Sequence, residues 1–331
     1  MYDHYISLDW AQSNMAIAKM TRGSSKAKTM DVRSNIKELQ FYLKNLRGKK
    51  ILTFEETTTS QWLYTELREC VDEILICDPY RNRLLSEGPK TDRLDAVKLV
   101  ELLKAGLLKP VFHSGDEFIY LRKFVSGYED TVKAGVRLKN QRAALFRANG
   151  KNKKDKTLDH SMEKFVLEGI DRSIESYKSH KERYEGQMAR LSRKYSMIRN
   201  LDSIFGIGKI GAVKIAARVV NPRRFKNKGK WLGYCGLIKL ERTSGGKSYG
   251  KKNPRYCRMM KSVFKTAAIS AIGENTNNPF KDYYEYLMRE KGRAEHNARH
   301  ATARKIAVAA WGVMKSGKRF EAIRRLETIK K

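Results

Sequence analysis

Hydrophobic residues in the front part of the chain come in short runs separated by amphipathic stretches. Residues 5–9 (YISLD) read as a short strand, and residues 15–20 (MAIAKM) as its antiparallel return through a turn at Gln12, Ser13 and Asn14. Residues 35–46 place Ile36, Leu39, Leu43 and Leu46 at helical intervals, and Gly48 separates them from the strand pattern of residues 51–54 (ILTF). A further helix is predicted over residues 60–70, then a strand over 73–77 (EILIC) that stops at Asp78 and Pro79. Helices between hydrophobic strands imply an α/β layered domain.

From about Asp116 the strand pattern fades. Residues 116–147 and 161–199 are rich in Lys, Glu, Arg, Leu and Ala, all strong helix formers, and bracket the polar stretch NGKNKKDKTLDH, so a long helical hairpin is predicted. In its second arm Met162, Phe165, Ile170, Ile174, Tyr177, Tyr184, Met188 and Leu191 recur at three- and four-residue steps. That stripe suits a coiled-coil-like, dimerising face and equally a face packed on its own domain. Near Asn200 the pattern changes again, to a mainly helical region interrupted by the Gly-rich TSGGKSYGKKN. The expected organisation is residues 1–125 as an α/β domain, 126–199 as the helical, oligomerising middle, and 200–331 as a mainly α C-terminal domain.

Composition sharpens this picture. With 331 residues and 41% hydrophobic content the chain can bury real cores and is not a disordered polymer. Its formal charge of +33 requires a polyanionic partner, and nucleic acid is the obvious one. The charge is unevenly spread: residues 1–125 carry a net +3 and residues 126–331 a net +30. No apolar run reaches the length of a membrane span, and MYDHYISLDW lacks the flanks of a secretion signal, so a cytoplasmic, nucleoid-associated protein without a membrane partner is expected. Cys70, Cys77, Cys235 and Cys257 form no CxxC pair, which argues against structural zinc.

Candidate chemistry begins at GPKTDRLDAVKLVELL, where Asp92 and Asp95 stand three apart at the start of an expected helix and share one face. Asp9 closes the first strand and Glu55 closes the strand over 51–54, both after apolar stretches where an unpaired carboxylate is costly to bury. Acids at neighbouring strand ends, facing a helix with two more, can form an oxygen-rich site for Mg2+. Two such ions can activate the attacking oxygen and stabilise the leaving oxygen of a phosphodiester displacement.

In the rear half, Ser244 precedes two glycines and lies among cations. By itself this reads as a polar hairpin or phosphate-binding loop; the hydroxyl becomes a nucleophile only if a base or metal activates it. Phe205, Gly206, Ile207, Gly208 and Lys209 resemble the hairpin of a helix-hairpin-helix element, whose glycines let backbone meet phosphate; a plain interhelical turn is the alternative. Arg223, Arg224, Lys247, Lys251, Lys252 and Arg255 are candidate nucleic-acid contacts, interleaved with Phe225, Trp231, Tyr249 and Tyr256, which suit either base stacking or core. Tyr283, Tyr284 and Tyr286 have no Arg/His constellation that would make one of them a recombinase nucleophile. His296 and His300, four apart, lack an adjacent acidic third ligand and read as solvent-facing or phosphate-contacting.

The ordered set ISLDWAQ around Asp9, LTFEETT around Glu55 and KTDRLDA around Asp92 and Asp95 resembles the DEDD-type insertion-sequence transposases. This family includes Piv-like DNA invertases and bridge-RNA-guided, serine-containing recombinases. The resemblance continues through SIFGIGKIGAV, WLGYCGL and RTSGG. It implies a RuvC-like, RNase H-like N-terminal domain whose tetrad, Asp9, Glu55, Asp92 and Asp95, binds Mg2+. The family usually has a small residue after its Glu, whereas Glu56 follows Glu55; Glu55 is favoured because Thr57 then falls on the family's Thr. The resemblance also implies that Ser244 forms a covalent phosphoserine with DNA, with Ser248 as the competing position. It further implies a noncoding bridge RNA that guides the choice of donor and target DNA, and a homodimer or tetramer. The expected function is an RNA-guided recombinase of a mobile element. A structure-selective endonuclease, an invertase without RNA guide, and a noncatalytic RNA-binding protein are the alternatives.

Overall fold

In the first part of the chain, period-two alternation sends successive side chains to opposite faces of one sheet. The computed structural model describes residues 1–79, 91–152, 155, 157–273 and 277–321, and its contacts fall into two units, Met1–Asp116 and Glu117–Lys331. The first unit holds strands β1 (His4–Trp10), β2 (Asn14–Thr21), β3 (Lys28–Arg33), β4 (Lys50–Glu55) and β5 (Glu73–Cys77) in the order β3-β2-β1-β4-β5. The first three are antiparallel neighbours, and β4 and β5 run parallel to β1.

One face of the sheet, with Ile6, Leu8, Leu52 and Phe54, packs on helices α1 (Ile36–Asn45) and α2 (Ser60–Leu67) through Leu39, Leu43, Leu63 and Leu67. The opposite face carries Ala16, Ala18, Met20 and Ile51 against Ala96, Leu99, Val100 and Leu103 of helix α3 (Asp92–Lys104). Three layers result. Two polar anchors set the direction of α3: buried Ser7 Oγ donates to Ala96 O at 2.5 Å, and Lys104 Nζ donates to Thr21 O at 2.9 Å and Ser24 O at 2.6 Å. Thr21 pairs with His4 at the start of β1, so the N-terminus of α3 comes to the other end, where Asp9 lies. Thr91 caps that terminus by accepting from Leu94 N at 3.3 Å; Lys90 of the same motif lies outside the described residues. The strand β3 has no counterpart in the sequence reading, because its alternation is limited to Met30 and Val32 in a mostly exposed, charged edge segment.

The second unit is mainly helical. Helices α4 (Leu121–Ala148) and α5 (Ser161–Lys194) form the long hairpin, followed by α6 (Ser196–Asp202), α7 (Gly208–Val219), α8 (Lys228–Tyr234), α9 (Arg258–Ala271), α10 (Pro279–Arg289) and α11 (Glu295–Ser316). Its core centres on fully buried Trp231, whose Nε1 donates to Ala307 O at 2.7 Å. The stripe on α5 divides. Ile174 and Met188 are buried, and Tyr184 meets the rings of Phe124 and Tyr128 on α4, so this part packs inside the chain. Met162 and Phe165, at the start of the same helix, are 71% and 77% exposed. Among the described residues, no helix is long and apolar enough to cross a membrane.

The turn between α6 and α7 explains one of the glycines. Gly206 has φ +87°, and a Cβ there would stand 2.1 Å from the backbone oxygen of Ala267 in α9. Gly208 also has positive φ, but a Cβ there meets nothing within 4 Å. Gly206→Ala must therefore combine left-handed strain of about 1–2 kcal/mol with a backbone clash, whereas Gly208→Ala carries the strain alone. Chemical denaturation of the two variants should give Gly206→Ala the larger loss of stability, by at least about 1 kcal/mol.

Candidate active site

Each expected acid sits at the end of an element that packing holds in place. Ser7 faces α3, so strand alternation sends Asp9, two residues on, to the same face. Asp9 is half-buried, and its carboxyl is held above the usual carboxylate range, first by loss of solvent and then by the like charges of Asp92 and Asp95. The two helix acids thus lie within electrostatic reach of the strand acid. Asp92 is exposed and Asp95 half-buried in the first turn of α3, where the helix dipole favours negative charge.

Glu55 ends β4, which runs parallel to β1 with Ser7 opposite Thr53. Alternation gives Glu55 the face of Thr53, which is also the face of Ser7 and Asp9. Glu56 is engaged elsewhere: its carboxylate lies 3.7 Å from His113 Nε2, and its backbone N donates to Cys77 O. His113 Nδ1 is in turn 2.9 Å from Gln61 Oε1.

Among the described residues, no three Asp, Glu, His or Cys side chains form a ready metal cage. The donor set nevertheless suits magnesium, which binds through one or two carboxylates and fills its remaining positions with water and substrate phosphate. Burial first, and then the charges of Asp92 and Asp95, raise Asp9, and a hard cation would offset both.

Ser244 lies in the second unit, at the tip of a two-stranded ribbon, β6 (Leu240–Ser244) and β7 (Lys247–Lys252), every residue of which is exposed. Gly245 and Gly246, with φ of +53° and +74°, make the two-residue turn. Ser244 pairs with Lys247, and Thr243 with Ser248, so the two serines belong to opposite faces of the ribbon. Lys247, Lys251, Lys252, Arg255, Arg223, Lys209 and Gly208 are exposed. Arg224 instead lies over the rings of Phe225 at 4.5 Å and Tyr234 at 4.8 Å and donates to Arg218 O at 3.1 Å. Phe225 and Trp231 are core residues, while Tyr249 is 70% exposed.

Comparison with known families fits this arrangement. Residues 6–149 match the IS110-type DEDD model, described as Transposase, and residues 198–285 match the model described as Transposase IS116/IS110/IS902 family. The chain belongs to the DEDD-type insertion-sequence transposases. No curated protein shows significant similarity to it. As a member of this family the chain is a DNA transposase or recombinase, and its substrate is DNA. Its mixed α/β first unit and mostly helical second unit are consistent with the DEDD, RNase H-like fold, and a divalent metal suits a family that is typically metal-dependent.

The first match spans all four expected acids, and the second ends on α10 after covering Ser244. Sequence reasoning missed a group of cations, Lys239, Lys261, Lys265 and Arg304, that the fold gathers around His300. The one available signal was local: Lys261 and Lys265, and His300 and Arg304, are each four apart on a helix.

The raised carboxyl of Asp9 has a thermodynamic consequence. A folded-state pKa above the unfolded value means that ionised Asp9 opposes folding at neutral pH, and that this opposition fades as pH falls through the folded pKa. In chelator, Asp9→Asn should melt above the parent at neutral pH, and the gap should close as the solution is acidified. Added magnesium should raise the melting temperature of the parent more than that of Asp9→Asn; equal shifts would show that these acids do not hold the ion.

Proposed function

We propose that this transposase is an RNA-guided DNA recombinase that cuts and rejoins strands through a covalent serine–DNA intermediate with magnesium. The observation that carries the reading is the grouping of half-buried Asp9 with exposed Asp92 and half-buried Asp95, like charges that the fold brings within electrostatic reach. Ionised Asp9 there opposes folding, and a bound cation would offset that cost. Glu55, on the same sheet face, completes the proposed ligand set, and Glu56 is the less suited of the two because it lies beside His113.

A bound magnesium supplies Lewis-acid stabilisation of the phosphate's developing charge. Ser244 Oγ would attack the phosphorus, forming an O–P bond as one P–O bond to deoxyribose breaks. The serine proton leaves to solvent or base, and the departing sugar oxygen gains one. One phosphodiester replaces another, so the freed hydroxyl of an exchanged strand can reverse the step without an external energy source. Exposure of Ser244 at a Gly-Gly turn lets a bulky duplex approach it, and Lys247, paired across the turn, places positive charge beside the phosphate.

The guide role of a noncoding bridge RNA is supported by the net +30 on residues 126–331, more charge than a small DNA footprint needs, together with the resemblance to guided recombinases. In that division of labour the protein reads shape and backbone while base pairing reads donor and target sequence. A dimer or tetramer is proposed because strand exchange needs more than one active site; Met162, Phe165 and Val166 on α5, and Val136 on α4, are exposed apolar residues of the middle segment that could serve it.

The test is a labelled donor DNA incubated with protein, co-purified RNA and magnesium, then denatured. A protein-linked band lost in Ser244→Ala and kept in Ser248→Ala is expected, with activity of Asp9→Asn reduced by about two orders of magnitude or more. Magnesium-dependent nicking without the linked band would transfer the reading to a structure-selective endonuclease that uses the acids alone.

A further inference from the structure

Beside the base of the Ser244 ribbon lies a cavity of about 950 Å³, formed wholly within the second unit. Its wall comes from four places: the segment leading into β6, the paired strand residues Glu241 and Lys251, helix α9 and helix α11. Lys261 and Lys265 stand one helical turn apart on α9, and His300 and Arg304 one turn apart on α11, which packs beside α9. Lys239, Lys251 and Arg299 add further positive charge, and Glu241 is the only carboxylate in the lining. Arg299 is paired with Glu295 on its own helix.

We infer that this cavity is a binding site for the sugar-phosphate backbone of a nucleic-acid strand, which it holds next to the serine ribbon without reading bases.

Three observations carry the inference. Six Lys and Arg side chains around one acid create a concave positive field, which a polyanion neutralises. The lining contains Leu237, Ile238 and Ile269 but no Phe, Tyr or Trp, and its cations and two histidines are groups that contact phosphate. The volume exceeds that of a single inorganic ion, and Ser244 stands three residues beyond Glu241, about 10 Å along the same strand. A strand bound in the cavity would therefore continue past the hydroxyl.

The charge on His300 reports the same convergence. Burial, then Arg304, Lys265, Lys261 and Lys239 in turn, hold its imidazole below the usual range, so cations from three separate segments act on one ring. Glu241 is the lone opposing charge in the wall, and His296 and Arg299 lie on the ring's own helix. A phosphate among these groups favours the protonated ring, so binding takes up a proton and strengthens as pH falls through the bound-state value.

The inference takes the nature of the polymer from the recombinase reading but does not depend on cleavage. It is therefore tested without chemistry, on the full chain carrying Ser244→Ala, in chelator. Fluorescence anisotropy with mixed-sequence single-stranded DNA, and separately RNA, gives affinity against salt. Lys265→Gln with Arg304→Gln should weaken binding about tenfold or more and reduce the log–log salt slope by about 1.4, two contacts at about 0.7 each. A charge-matched control on the helical hairpin, Arg172→Gln with Lys178→Gln, should leave the slope nearly unchanged. Loss confined to DNA or to RNA supports the site and names its occupant. Unchanged affinity and slope on both polymers, or an equal loss in the control, overturns the inference. The parent offers a check that needs no folded charge variant: binding should tighten from about pH 8 to about pH 6, and His300→Asn should flatten that dependence. A pH response identical in His300→Asn counts against the site.

Discussion

Packing of α3 on the sheet is the interaction on which the placement of the acids in the first unit depends. The packing that stabilises the sheet also carries Asp9 towards Asp92 and Asp95, because Ser7 ties α3 to the middle of β1 and Lys104 ties its far end near Thr21. Loosening α3 would relax the repulsion, yet Ala96, Leu99, Val100 and Leu103 on its inner face are buried against the sheet. Hydrophobic burial of side chains this size is worth about 1.5–3 kcal/mol for each large one, enough to hold acids in an arrangement their charges oppose. The proposed site is thus held in place by core residues that have no chemistry of their own.

Much of this was legible along the chain, for identifiable physical reasons. The strands over residues 51–54 and 73–77 announce themselves because they are apolar runs bounded by Gly48 and by Asp78-Pro79, and both appear as β4 and β5. The acids stand out because each ends or begins such an element. The strand β3 does not, since four of its six residues are exposed and an edge strand needs no apolar pattern. The α5 stripe was ambiguous for the opposite reason: the same periodicity serves packing within a chain and between chains, and only the neighbouring α4 shows that Ile174 and Met188 are already buried. Gly206 reads correctly as a turn residue, but its need arises from the oxygen of Ala267, far along the sequence.

Charge shows the same limit in the second unit. Composition predicts a polyanion but not where it lies. Arg224 looks as available as Arg223 in the sequence, yet the fold places it over Phe225 and Tyr234 in an internal stack. Conversely, Lys261, Lys265 and Arg304 are scattered among ordinary helical positions, and become one field only when α9 and α11 pack side by side. Tertiary packing decides which cations meet and which are spent on internal contacts.

The ribbon that carries Ser244 contains no buried residue, and an isolated pair of strands is at best marginally stable in water. Its order therefore comes from its Gly-Gly turn and from whatever lies against it. In the proposed recombinase, a hydroxyl presented in this way would acquire a fixed direction only when a ligand spans the ribbon, so its attack would await a complete complex. Under that proposal the missing hydrophobic core of the ribbon would itself be a safeguard against cutting outside the assembled complex.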